Sequence, residues 1–110
     1  MESIALSEVI EEQLTAARAA HSGRSAHTVH GGHEHSLRQT VIALAAGNGL
    51  AEHDSPGEAT LQVLRGRVVL RAGADSCTGT AGDLLVIPPA RHALDAVEDS
   101  AVLLTVLADR

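Results

Sequence analysis

The hydrophobic pattern of the chain changes once, from helical spacing near the start to short strand-like segments over the rest. Ile10, Leu14 and Ala17 recur at helical spacing after Ser7, and Gly23 follows them. A serine before an apolar stripe and a glycine beyond it are typical start and stop signals of a helix. The pattern therefore predicts one short amphipathic helix that lies across the outside of a sheet or against a partner subunit.

After this helix the chain consists of about nine strand-like segments, separated by turn residues at short spacing. Residues 101–107 are apolar enough for a buried closing strand, whereas residues 75–81 are polar and predict a loop with at most a brief strand around Cys77. This pattern is typical of an all-β sandwich or barrel, for which a jelly roll is one standard solution. We expect an N-terminal helix and linker over residues 1–24 and a single barrel domain over residues 25–110.

Histidines are densest just after the predicted helix, around the Gly31-Gly32 pair. The cluster consists of His27, His30, His33 and His35. A Gly-Gly pair between short segments predicts a hairpin turn, and strand alternation then places His33, His35 and Gln39 on one face of the second strand. Neutral imidazoles bind transition metals, but a solvated polar hairpin explains the same cluster. Both alternatives stay open.

The composition restricts what a pocket in this barrel can contain. The 110 residues suit one domain, and 45% of them are hydrophobic although Phe, Tyr and Trp are all absent. Aromatic rings normally supply much of a pocket's lining. Any pocket must therefore be lined by aliphatic side chains and histidine.

Charge and cysteine content exclude several classes of partner. The net charge is −6, which argues against nucleic acid because phosphate binding depends on basic patches. All eight basic residues are Arg, which together with the Ala, Gly and Val content suggests a bacterial protein from a GC-rich genome. A single cysteine, an acidic N-terminus and the lack of a long apolar run predict a cytoplasmic protein that does not bind a membrane.

The stretch from Gly47 to Gly66 carries a recognisable frame of glycines around a strand, a turn at Pro56-Gly57 and a second strand. Five residues separate Gly47 from His53, and Gly66 closes the frame. This stretch resembles the first motif of the cupin superfamily, which has a second histidine and a glutamate between its two glycines. Ser55 stands where the second histidine would be and Ala59 where the glutamate would be.

A second stretch, GDLLVIPPARHAL, resembles the second cupin motif. Five residues separate Gly82 from Pro88, as in the family, while Ala90 replaces a glycine and His92 arrives one position early. A shortened turn can still aim His92 inward. The two resemblances together cover about residues 40–107 and imply a cupin jelly-roll barrel, or double-stranded β-helix, with the helix preceding it.

In metal-binding cupins the two motifs bring three histidines and one glutamate together at the barrel mouth. The resemblance therefore implies a reduced site of His53 and His92 for Fe, Mn, Ni or Zn, and two ligands are usually too few for a tight site. His33 and His35 are candidate additional ligands. Strand parity argues against Glu58 and Gln62.

Parity places Ala59, Leu61 and Val63 on the inward face of their strand. We therefore expect Ala59 and Leu61 to line the pocket. We expect Ser55, at the position of a motif ligand, and Gln39, on the second strand, to line it as well.

Three functions are compatible with the sequence. The first is binding of a small molecule in the barrel mouth, without required chemistry. The second is metal-dependent oxygenase or isomerase activity on a small organic substrate. The third is a non-catalytic dimerising accessory domain. We also expect a homodimer that pairs through the helix and the outer sheet face, with Leu64, Thr60 and Ile42 pointing outward.

Overall fold

The computed structural model describes residues 1–55 and 57–107, which form one helix and nine strands. In chain order, the elements are α1 (Leu6–Ala19), β1 (Arg24–His30), β2 (Leu37–Leu44), β3 (Gly49–His53), β4 (Glu58–Arg65), β5 (Arg67–Ala72), β6 (Asp75–Thr80), β7 (Leu84–Val86), β8 (His92–Ala96) and β9 (Ser100–Leu107). No helix within these residues is long and apolar enough to cross a membrane.

The strands form two antiparallel sheets. The first sheet has the order β1-β2-β9-β4-β7, and the second has the order β3-β8-β5-β6. Neighbours in each sheet are mostly distant in sequence, because the chain passes repeatedly from one sheet to the other. The predicted all-β jelly roll with one preceding helix is therefore confirmed.

The space between the two sheets is filled almost entirely by aliphatic side chains. Its buried members are Ile42, Leu44, Ala59, Leu61, Val63, Val68, Leu70, Leu85, Ile87, Leu94, Ala96 and Val102. Small branched side chains fill this volume without any aromatic ring, as the composition predicts. The parity prediction for β4 is correct, because Ala59, Leu61 and Val63 all belong to this core.

Helix α1 packs on the outer face of the first sheet, as one of the two sequence-based alternatives predicts. Ile10, Leu14 and Ala17 are buried there against Val41 and Ala43 of β2. The helix is rich in Ala, Leu and Glu, which favour helical backbone, and its narrow apolar stripe matches this one contact.

An ion pair joins the end of the helix to the turn between β8 and β9. Arg18 Nε donates to Asp99 at 2.7 Å, and the same carboxylate accepts the Ala46 backbone N–H at 2.8 Å. These hydrogen bonds, the one from Arg18 foremost, lower the pKa of Asp99.

Two predicted details of β2 are wrong. His33 and His35 lie in the loop of residues 31–36 and not on the strand, which begins only at Leu37. Ile42 points into the barrel core and not outward. For His33 and His35 the reason is a turn closed by the His35 N–H and the Gly32 carbonyl oxygen, which delays the start of the strand. For Ile42 the reason is that both faces of β2 are apolar, one facing the core and the other lying under the helix, so alternation alone does not distinguish them.

Two further predictions concern loops. Residues 75–80 form a full strand, β6, at the edge of the second sheet, where it pairs with β5. Its residues are polar because most of them are exposed at that edge. The predicted Pro56-Gly57 turn lies partly outside the described residues, since Pro56 is not among them.

The two glycines of the first motif both have left-handed backbone, but their surroundings differ. Gly47 has φ +83° and Gly66 has φ +85°. A Cβ on Gly66 would collide with Ser100 Oγ and the carbonyl oxygen of Asp99, whereas no described atom lies within 4 Å of a Cβ on Gly47. Ser100 Oγ is already engaged, since it accepts from Arg67 N and is within 3.1 Å of Arg67 O.

We predict that Gly66→Ala destabilises the fold more than Gly47→Ala. Both variants incur the left-handed penalty of about 1–2 kcal/mol, and Gly66→Ala adds a steric term of about 1–3 kcal/mol. Urea denaturation followed by far-UV circular dichroism measures both values, since the chain has no Trp or Tyr for fluorescence. Equal losses would contradict the steric role assigned to Gly66.

Candidate functional site

Two histidines face each other at one end of the barrel. His53 on β3 and His92 on β8 are paired in register, and their ring centres are 4.5 Å apart with an angle of 61° between the ring planes. His92 is 4% exposed, whereas His53 is exposed at the opening. The structure thus brings together the two histidines that the motif resemblance singled out.

A β-bulge decides which side chain of β3 points inward. Leu50 pairs with Leu94 and His53 pairs with His92, so three steps along β3 match two steps along β8. Without the extra residue, strict alternation from Leu50 would turn Glu52 inward and His53 outward. The bulge therefore gives the cavity an imidazole instead of a carboxylate.

Each ring is oriented by a hydrogen bond to its own backbone. Nδ1 of His53 lies 2.8 Å from the carbonyl oxygen of Ala51, and Nδ1 of His92 lies 2.9 Å from that of Ala90. A carbonyl oxygen only accepts, so Nδ1 carries the proton in both rings. In the neutral imidazoles the lone pair is therefore on Nε2, which is left to interact with a ligand.

The histidines form the polar part of a small cavity. Its volume is about 40 Å³, and apart from the two rings its lining is aliphatic. The aliphatic residues are Ile42, Leu50, Leu61, Leu70, Ile87, Leu94 and Leu104. This volume is far below the 300–1,000 Å³ of pockets for drug-sized ligands.

An arginine clamps the two histidine-bearing strands at the rim. Arg91 Nε donates to Glu52 at 2.9 Å, and another guanidinium nitrogen donates to Asp54 at 3.2 Å. A third contact, 3.4 Å long, reaches the Glu52 carbonyl oxygen within the bulge. Arg91 is the residue before His92, and it binds the residues on either side of His53. It therefore links the two strands that carry the histidines. Both carboxylates raise the pKa of Arg91, the Glu52 hydrogen bond most strongly.

The other predicted pocket residues are placed differently. Leu61 lines the cavity, as expected. Ala59 is buried in the barrel core but is not part of this lining. Ser55 Oγ donates to the carbonyl oxygen of Gly57 at 3.0 Å, which commits it to the turn.

Gln39 lies on the outer face of the first sheet. Its amide donates to Thr105 Oγ1 at 3.3 Å, while the inward positions of β2 belong to Ile42 and Leu44. The expectation that Gln39 lines the pocket is wrong, because its face of β2 is the outer one, on which the next residue, Val41, is buried under the helix.

The donor set falls short of a complete transition-metal site. Within residues 1–55 and 57–107, no three His, Cys, Asp or Glu side chains are arranged to hold one ion, so neither His33 nor His35 joins His53 and His92. Glu58 and Gln62 are exposed on β4 and do not line the cavity. Two imidazoles are fewer than the three or four donors that such a site normally needs.

Sequence reasoning missed the arginine clamp and most of the aliphatic lining. Arg91 and Glu52 are each the immediate chain neighbour of a motif histidine, which is a signal in the sequence. The lining comes from strands of both sheets, and only the folded topology brings these strands together.

Comparisons with solved structures agree with this fold. A Streptococcus pyogenes protein of unknown function, SPY1581, is 27% identical, with a TM-score of 0.71 over 83% of this chain and 79% of that one. An RmlC-like cupin from Desulfovibrio desulfuricans is 26% identical, with a TM-score of 0.67 over 76% of this chain and 81% of that one. No protein-family model matches the chain, and a search of curated proteins found no match.

A larger enzyme has the same fold in part. A variant of salicylate 1,2-dioxygenase from Pseudoaminobacter salicylatoxidans is 20% identical, with a TM-score of 0.78 over 91% of this chain but only 34% of the enzyme. At this identity the likeness concerns the fold alone.

We predict that Arg91→Gln disturbs the orientation of His53 without unfolding the barrel. The Arg91 ion pairs are exposed, so their loss has little effect on the free energy of unfolding. The substitution does, however, release the β3 bulge that orients the His53 ring. Long-range ¹H–¹⁵N spectra of the imidazoles report the tautomer and order of His53 directly. Arg71→Gln, which breaks the Arg71–Asp95 pair between β5 and β8, is the matched control. Identical His53 signals in Arg91→Gln and wild type would exclude the clamp as a positioning device.

Proposed function

We propose that this chain, which is a small cupin domain, binds a small and largely apolar molecule at the barrel mouth through His53 and His92. The observation that carries the proposal is the facing pair of imidazoles, both with Nδ1 bound to backbone, in a cavity that is otherwise aliphatic. A related fold binds a small ligand, since a structure of the salicylate dioxygenase variant is a complex with gentisate.

The two imidazoles favour a particular kind of polar group on the ligand. Because each neutral ring presents an unprotonated Nε2, it accepts a hydrogen bond from a hydroxyl or a carboxylic acid proton. When protonated, the same ring donates to a carboxylate. We therefore propose a hydroxylated or carboxylated organic molecule as the ligand class.

Cavity size sets a second restriction on the ligand. A volume of about 40 Å³ accepts only a few non-hydrogen atoms between the sheets. The remainder of the molecule extends past His53, which is exposed at the opening. Binding then depends on burying one apolar edge of the ligand and on pairing its polar group with the histidines.

Metal-dependent oxygenase or isomerase activity is less well supported. The similarity to a dioxygenase concerns the fold, and the donor set beside His53 and His92 is incomplete. We therefore propose no catalytic step.

Small hydroxylated and carboxylated molecules are expected to bind and to perturb residues on one side of β4 only. In ¹H–¹³C methyl spectra, binding shifts the signals of Leu61 and Leu94, which line the cavity. His92→Gln weakens binding by about tenfold, because one hydrogen bond to a neutral group contributes about 1–1.5 kcal/mol. Gln62→Ala, on the opposite face of β4 from Leu61, leaves affinity unchanged.

Elemental analysis of untagged protein, purified without chelators, tests whether His53 and His92 hold a metal ion. We expect no transition metal whose retention depends on His53 or His92. Near-stoichiometric metal that is lost in both His53→Ala and His92→Ala would overturn this part of the proposal and favour the metal-dependent alternative. Absence of any shift at Leu61 and Leu94 across the molecules would overturn ligand binding itself.

We also propose a homodimer that uses the part of the first sheet's outer face that helix α1 leaves uncovered. Leu84 and Val86 on edge strand β7 are 61% and 74% exposed there. Their register partners on β4, Gln62 and Thr60, are uncharged. A second copy placed by a two-fold axis therefore meets an apolar patch with few like charges. This interface differs from the one expected from sequence, which included Leu64, because Leu64 packs against the residues that helix α1 buries.

Light scattering at micromolar concentration is expected to give twice the chain mass of 11.3 kDa. Val86→Lys places a charge in the proposed interface and is expected to yield monomer. Val97→Lys, at a residue that is 55% exposed outside this face, is the control and is expected to remain dimeric. A monomeric wild type would contradict the proposed dimer.

A further inference from the structure

A second pair of neighbouring histidines lies where β1 passes into the loop of residues 31–36. The ring centres of His30 and His35 are 4.5 Å apart, and their planes are tilted by 31°. His30 is the last residue of β1 and pairs in register with Gln39. The backbone N–H of His35 donates to the Gly32 carbonyl oxygen at 3.2 Å, which closes a turn and returns the chain toward His30. Backbone structure on both sides therefore brings the rings together.

The separation of the two rings is suitable for binding one metal ion. A zinc ion lies about 2.0–2.1 Å from an imidazole nitrogen, and hence about 3.2 Å from the ring centre. If each ring turns one nitrogen toward a shared ion, ring centres 4.5 Å apart subtend about 90° at that ion, which is the angle between neighbouring ligands of an octahedral site.

A carboxylate lies next to this pair. Glu34 Oε1 is 3.7 Å from His35 Nε2, and two donors that share a zinc ion are about 3.4 Å apart. No three such side chains of the described residues already surround one point, so the third donor requires a rotation of Glu34. The Glu34 side chain is 72% exposed and is free to make this rotation.

We propose that His30 and His35, with Glu34 as a third donor, form a site for a divalent transition metal on the β1–β2 loop. Imidazole and carboxylate together suit zinc, nickel or copper, and water completes the coordination. With two or three exposed donors, binding is weaker than at a structural zinc site and is readily reversible.

This site is separate from the cavity at the barrel mouth. His30 is the register neighbour of Gln39, whose side chain contacts Thr105 on the outer face of the first sheet. His53 and His92 belong to the second sheet and face the space between the sheets. The two histidine pairs therefore lie on opposite sides of the first sheet, and substitutions in one pair leave the other intact.

Zinc titration by isothermal calorimetry tests the proposal, with untagged protein in a buffer that does not chelate metal. Wild type is expected to bind one zinc ion. His30→Gln and His35→Gln each weaken binding by at least the ~10-fold that even outer partners of metal ligands contribute, and Glu34→Gln weakens it less. His21→Gln removes an exposed histidine outside the loop and is the matched control.

The double variant His53→Gln/His92→Gln separates the two sites and is expected to bind zinc as wild type does. If zinc binding is lost in this double variant but kept in His30→Gln/His35→Gln, the ion binds at the mouth and the proposal is wrong. Lack of zinc binding by wild type overturns it as well, since the ring pair is then only a stacked contact. Far-UV circular dichroism of each variant verifies that the fold is retained.

Discussion

The bulge in β3 is the constraint on which the whole barrel mouth depends. A strand alternates its side chains strictly, so one extra residue between Leu50 and His53 exchanges the side chain that faces inward. His92 on the partner strand has the same parity as Leu94, and the two imidazoles meet only because the bulge restores the match. Arg91 binds the bulged segment through the Glu52 side chain and carbonyl oxygen. Local backbone irregularity and a rim ion pair thus determine the polarity of the cavity.

The aliphatic core explains why the cavity is small and why its polar groups are few. Without aromatic rings, the space between the sheets is filled by short branched side chains that interdigitate closely. Ala59 occupies the position at which the cupin motif has a glutamate, and it is packed within this core at 4% exposure. A carboxylate at that position would be buried among apolar neighbours, where it requires a metal or other partner. The loss of the acidic ligand and the tight aliphatic packing are therefore consistent with each other.

Much of this fold could be predicted from sequence, because glycine positions and apolar periodicity both depend on local geometry. Gly47 and Gly66 adopt the left-handed backbone that the motif frame requires. His53 and His92, which the resemblance pairs at the barrel mouth, lie next to each other in the structure. Gln39 lies on the face opposite to the predicted one, because both faces of β2 are apolar for different reasons. The bulge was not predictable, since its existence depends on pairing between β3 and β8, which are far apart in the chain.

The two histidine pairs thus have different surroundings, on the two sides of the first sheet. His53 and His92 are each oriented by a backbone carbonyl and border an otherwise aliphatic cavity that opens beside His53, which is consistent with the organic ligand proposed above. His30 and His35 share a glycine-containing loop in contact with water, beside a carboxylate that is free to move. An ion that needs several donors and retains water is better accommodated in such a loop than in a cavity with two donors. The surroundings of these two pairs therefore favour the two separate sites that we propose over one metal centre completed from the loop.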